Sequence, residues 1–110
     1  MKVVLAAVLL SVAGLAHADL DSDSRLNELC NNKDIKNVLV CKQVIAEQLD
    51  AAYMWGEENA HLVKKQKVAK LKQFEDSEPM MNLCTQAPNK DRCEKLRGYL
   101  IEEYKAGIGL

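Results

Sequence analysis

The sequence predicts an all-α fold, a small disulfide-stapled helical bundle built from two αα-hairpin-like units. Two observations carry this expectation. Apolar residues recur at the three- and four-residue spacing of an amphipathic helix, and strand alternation fits them poorly. All four cysteines sit in two similar units. In each, a short apolar segment ends in Leu-Cys (Leu29-Cys30, Leu83-Cys84), a polar connector follows, and a second cysteine (Cys41, Cys93) opens a long helical run. Each long run then carries a tyrosine followed three residues later by a glycine, Tyr53 and Gly56 in the first, Tyr104 and Gly107 in the second.

In chain order, Lys2 precedes an apolar run over Val3 to Leu15 that closes on Ala16-His17-Ala18. This is the tripartite pattern of a cleaved signal peptide over residues 1–18, and its apolar run is too short to span a bilayer comfortably. Removing 18 residues from 110 leaves 92, read as a single helical domain over 19–110. Its 14 basic and 16 acidic side chains give a formal charge of −2. That balance gives no electrostatic case for nucleic acid, and no later segment is apolar enough for stable membrane insertion. Small exported domains compensate for a modest core with disulfides, so a periplasmic or secreted location is expected.

Asp21, Ser22, Asp23 and Ser24 are each able to cap a short helix over Arg25 to Asn31 that carries Leu26, Leu29 and Cys30. Asp34 is the expected cap of the next helix, whose core stripe is 35, 38, 39, 45, 49, 52 and 53. That run reads as one bent helix to about Phe74 or as two helices hinged near Gly56. Asp76-Ser77-Glu78-Pro79 is a stop-and-restart signal, and Met80 to Thr85 reads as a short helix. Asn89 caps the last helix, in which Cys93, Leu96, Leu100, Ile101 and Tyr104 face the core and Gly107 supplies the C-terminal cap. Four cysteines allow three connectivities. Cys30–Cys41 with Cys84–Cys93 is favoured, since each bond welds a short helix to its own long one. The nested pairing closes larger loops and would stabilise somewhat more by chain entropy alone, since a longer loop removes more entropy from the unfolded chain.

Catalytic chemistry is thin. Behind the leader, His61 is the one histidine and lies among lysines, with no serine or cysteine patterned around it. Glu57-Glu58 and Glu102-Glu103 are helix neighbours that do not converge on one point. No C-x-x-C or other zinc pattern, phosphate loop or cofactor motif occurs, so the chain is expected to be no enzyme and to need no metal or cofactor. Binding to a protein partner is the expectation instead. Its candidate surface is Tyr53, Met54 and Trp55 together with Lys64, Lys65 and Lys67. Tyr53 continues the core stripe, while Met54 and Trp55 diverge from it by about 100° and 200°. One of those two is therefore expected to be partly exposed unless a second layer covers it.

Leu29-Cys30, ten intervening residues, then Cys41 with Ile45, Leu49, Asp50 and Ala51 resemble the periplasmic immunity proteins that act against type VI-secreted amidase effectors. Leu83-Cys84 with Leu96, Tyr99 and Leu100 is similar to that family's second cysteine-bearing segment. Lys42-Gln43-Val44 stands where the family has a glycine and an aromatic, and Cys93 is extra. The resemblance implies an exported inhibitor of a peptidoglycan-cleaving enzyme, a cell-wall hydrolase as partner, and a homodimer as one state. The alternatives are a phage-type periplasmic lysozyme or lysis inhibitor, a secreted animal toxin polypeptide, and a chaperone-like periplasmic helical protein.

Overall fold

In a computed structural model the described residues are Leu20, 23–31, Lys33 and 35–110. The leader assigned to 1–18 and the cap assigned to Asp34 lie outside them. Among the described residues five helices and no strand are present: α1 Ser24–Cys30, α2 Val38–Glu58, α3 Lys64–Glu75, α4 Glu78–Met81 and α5 Lys90–Ile108. The chain divides into two units, 1–46 and 47–110.

The first unit is a stapled helix entry. Asp23 Oδ1 accepts from the Arg25 backbone N–H at 2.9 Å, so one of the orphan donors at the start of α1 is satisfied by the side chain before it. Partial burial pushes the Asp23 carboxyl up, but its bonds to Arg25 outweigh this and hold it below the usual carboxylate range. Leu20, Leu26, Leu29 and Cys30 are buried, and Cys30 is bonded to Cys41 across a Cα separation of 5.8 Å. A seven-residue helix is too short to persist alone, so this covalent tie and its three buried side chains hold it. The start of α2 is fixed by Asn37, whose Oδ1 accepts from the Val40 N–H at 3.0 Å.

Within α2 the buried positions are Lys42, Leu49, Ala52 and Gly56, with Ile45 half-buried between them. That stripe corrects the expected one at both ends: Leu39 and Tyr53 lie on its exposed flank. The long run divides into two helices near Gly56, with the break just beyond that glycine. α2 continues past Gly56 to Glu58, and a turn over 59–63 separates it from α3, with Asn59, Ala60 and Leu62 N–H groups closing it onto carbonyls three residues back.

Gly56 is not a hinge, because the second unit uses it as a contact. A Cβ built on Gly56 would overlap the Tyr104 carbonyl oxygen and lie 2.8 Å from the Ile108 nitrogen. A Cβ on Gly107 would overlap the Tyr53 carbonyl oxygen and lie 3.1 Å from the Glu57 nitrogen. The two contacts are reciprocal: each glycine meets the tyrosine carbonyl three residues before the other glycine and the amide just after it. The repeated Tyr-x-x-Gly spacing is thus where α2 and α5 cross, backbone against backbone, with no room for a side chain on either helix. Gly107 therefore sits inside α5 as a packing residue. The C-terminal cap passes to Gly109, whose φ of 86° is the left-handed conformation a glycine adopts without strain.

The rest of the second unit closes on α5. Asn89 Oδ1 caps it by accepting from the Arg92 N–H at 3.0 Å, and Cys93 is bonded to Cys84 across a Cα separation of 5.6 Å. Met80, Leu100, Tyr104 and Ile108 are buried. α4 starts with Pro79 in its first turn, ends at Met81 and gives way to turns where a helix to Thr85 was expected. Among the described residues no helix is long and apolar enough to cross a membrane.

The crossing makes a sharp prediction. Gly56→Ala and Gly107→Ala should each destabilise the chain by about 2 kcal/mol or more, because the obstructing atoms are backbone and cannot swing aside. Gly98→Ala is the control: it lies exposed within α5 with nothing within 4 Å of the new methyl, and should stabilise by about 0.5–1 kcal/mol. Denaturant unfolding of the three variants is the measurement, and equal effects at all three sites would contradict the crossing.

Candidate protein-binding surface

The crossing sets what the end of α2 presents. With Ala52 and Gly56 turned inward, Tyr53, Met54 and Trp55 occupy the remaining directions around the helix, about 100° apart. All three are exposed, at 39%, 61% and 53%. Tyr53 was expected to continue the core stripe; Gly107 contacts its backbone carbonyl, while its ring is left outward.

Trp55 is exposed but anchored. Its ring centroid lies 6.3 Å from that of Phe74 at a 56° tilt, and Phe74 stacks on Tyr104 at 4.3 Å and 13°. The Trp55–Phe74 separation falls within the range in which aromatic pairs gain beyond simple area burial, and Phe74 and Tyr104 lie in close near-parallel stacking. Tyr104 is buried, and its hydroxyl accepts from Asn59 Nδ2 at 3.2 Å; the same nitrogen lies 3.4 Å from the Trp55 carbonyl oxygen it donates to. Asn59 therefore ties the C-terminal end of α2 to the phenol at the base of the ring series. Trp55, Phe74 and Tyr104 run from solvent to core across three helices.

α3 is held from its far end. The Arg97 guanidinium donates to the Glu75 carbonyl at 3.1 Å through Nη2 and to the Met80 carbonyl at 3.2 Å through Nε. One rigid fork on α5 thus fastens the last turn of α3 and α4 together. α3 buries no residue completely, so its position rests on Phe74, Arg97 and the half-buried Leu71. Lys64 and Lys65 are exposed at its start. Lys67 differs: it is half-buried, and a Cβ on Gly109 would meet its Nζ at 3.2 Å, which places the ammonium over the carbonyl end of α5, where a cation is favoured. His61 is exposed in the turn before α3.

The six residues expected to bind a partner therefore divide. Tyr53, Met54, Trp55, Lys64 and Lys65 lie exposed, and Lys67 serves the end of α5. Phe74, Asn59 and Arg97 escaped the sequence reading. Phe74 carried a signal, as the single aromatic on an otherwise lysine-rich helix; Asn59 and Arg97 carried none, since their partners are 45 and 22 residues distant. Arg97→Gln should cost roughly 1.5–3 kcal/mol and speed amide exchange over residues 76–84, as two carbonyls lose a charged donor. Arg97→Lys should recover less than half of that loss. Full recovery would mean that charge alone, and not the two-pronged fork, joins α3 to α4.

No curated protein and no solved structure matches the chain. The family model of the valyl-tRNA ligase modifier family matches it over residues 1–110. That match overturns the resemblance to immunity proteins and, with it, the exported inhibitor of a peptidoglycan-cleaving effector and the lysis-inhibitor, toxin and chaperone alternatives. The misreading has a physical root: Leu-Cys, a polar connector and a helix-opening cysteine describe any short helix stapled to a longer one, whatever the pair binds. A protein partner in general agrees with the family's description, which names a protein; a cell-wall hydrolase does not. The chain belongs to the valyl-tRNA ligase modifier family.

Proposed function

We propose that this chain is a protein-binding modifier of valyl-tRNA ligase that acts by non-covalent association, without catalysis of its own. The family's description, which names valyl-tRNA ligase, supports this choice of partner. The observation that carries the mode of action is the exposed aromatic end of α2. Trp55 and Met54 are more than half exposed on a helix whose opposite side is locked by the glycine crossing, and Phe74 holds the indole from behind. Tryptophan and tyrosine presented on a rigid element lose little conformational freedom on binding and are enriched in interface hot spots, and methionine is enriched at interfaces.

The test is binding of the full chain to purified valyl-tRNA ligase. Trp55→Ala should weaken it by roughly 30-fold, the size of a hot-spot loss of about 2 kcal/mol, with the helical content unchanged and a stability loss of only about 0.5–1.5 kcal/mol from the Phe74 contact. No measurable complex with the wild-type chain would sink the proposal.

Export is a second reading, favoured by a different observation: the leader-like pattern at 1–18 together with two closed disulfides. Fractionation of cells making the full chain separates the two. Association with the ligase predicts a cytoplasmic pool that co-purifies with it. Export predicts a product beginning at Asp19 in the periplasm or medium.

A further inference from the structure

We infer that α3 is a docking ridge for a carboxylate-rich face of the partner protein, with Lys64, Lys65 and Lys72 as its charged contacts and Val68 as its apolar centre. This rests on the reading of the chain as a protein-binding modifier and names the chemistry that the partner must present.

α3 carries five lysines against one glutamate, in a chain whose overall charge is −1. The arrangement on the helix is specific. Lys64, Val68 and Lys72 stand four residues apart in one row, and Lys65 falls on the flank of Lys72, so all four lie within about 100° of arc. All four are exposed, Val68 at 51%. Leu71, Phe74 and Lys67 are half-buried on another side of the helix. The lysines are also uncommitted. Among the described residues Lys64 and Lys65 form no ion pair, and Lys72 makes one fully solvated pair with Asp76 at 3.3 Å. A pair so exposed contributes little and yields readily to a better acceptor.

This helix is expensive to keep as it stands. It buries no residue, and Lys64, Lys65 and Lys72 gather like charge on one arc of its surface. An acidic partner face neutralises that charge at the moment of binding, and the ridge is already in place because Phe74 and Arg97 fasten α3 to α5. Electrostatic complementarity of this kind steers the encounter and fixes its register.

The ridge suits protein carboxylates better than nucleic-acid phosphates. α3 has no arginine, and its single aromatic, Phe74, stacks inward on Tyr104, so the helix itself presents no ring on which a base could stack. Val68 among the ammonium groups, with Val63 exposed at the helix start, offers aliphatic surface that a phosphate backbone does not use.

Two measurements on the full chain test this. The first is its affinity for purified, ribonuclease-treated valyl-tRNA ligase at low and high salt, with Lys64→Glu/Lys65→Glu/Lys72→Glu beside the wild type. The expected result is a loss of at least about 30-fold in the variant and about tenfold with added salt. If the reversed variant does not fold, Lys64→Gln/Lys65→Gln/Lys72→Gln replaces it. The second is titration with poly-L-glutamate at about 0.15 M salt, read on the α3 amides by NMR. Shifts confined to 63–75 support the ridge. Unchanged ligase affinity in the variants overturns it. No binding of the ligase, with α3 shifts still caused by poly-L-glutamate, refutes the choice of partner and leaves the ridge standing; no response to either refutes both. Displacement of poly-L-glutamate from α3 by low concentrations of transfer RNA would overturn it in favour of a phosphate-binding helix.

Discussion

The second unit depends on a contact made of main chain. Where Gly56 and Gly107 face one another's helices, each occupies space that a single methyl group would fill, against atoms that cannot rotate away. The rotational setting of α2 about its own axis is thereby fixed, since turning it would bring a side chain into the gap. Everything presented on the other side follows from that setting. Tyr53, Met54 and Trp55 are exposed because Ala52 and Gly56 are the residues turned inward.

A second constraint carries this order outward to a helix that packs poorly. α3 has no fully buried residue and an excess of like charge, yet two side chains on α5 determine its place: the Tyr104 ring beneath Phe74 and the Arg97 fork on the carbonyl ends of α3 and α4. The Cys84–Cys93 bond ties the segment after α4 to the start of α5. Neither the glycine crossing nor the aromatic series contains a cysteine, so the exposed surface is held by packing and hydrogen bonds as well as by the covalent tie. A helix held at so few points leaves most of its surface free, which is what a binding element needs.

Much of the fold was legible in the sequence. Helical periodicity, the stop at Asp76-Ser77-Glu78-Pro79 and the Asn89 cap are local signals, and each was read from residues a few positions apart. The Tyr-x-x-Gly repeat was visible too, but its meaning was not. A glycine in a helical run signals a hinge or a cap when only neighbours are considered, and the atoms that make Gly56 and Gly107 packing residues lie some 50 positions away. The same limit explains Leu39 and Tyr53, which fit the helical period and are exposed, because the period gives the width of an apolar stripe but not which edge meets a neighbour. Lys67 was grouped with Lys64 and Lys65 by sequence and separated from them by rotation around α3. Partner identity was the least legible, since cysteine spacing reports how a helix is stapled and says nothing of what its outer face touches.

The most direct test of the whole account is hydrogen exchange of the full chain alone and in the presence of purified valyl-tRNA ligase. New protection is expected in two stretches, the end of α2 over 53–59 and α3 over 64–75, with the crossing residues of α5 already slow in the free chain. Protection confined to α1 or to the connector between Cys84 and Cys93, or an exchange pattern that the ligase leaves unchanged, would contradict it.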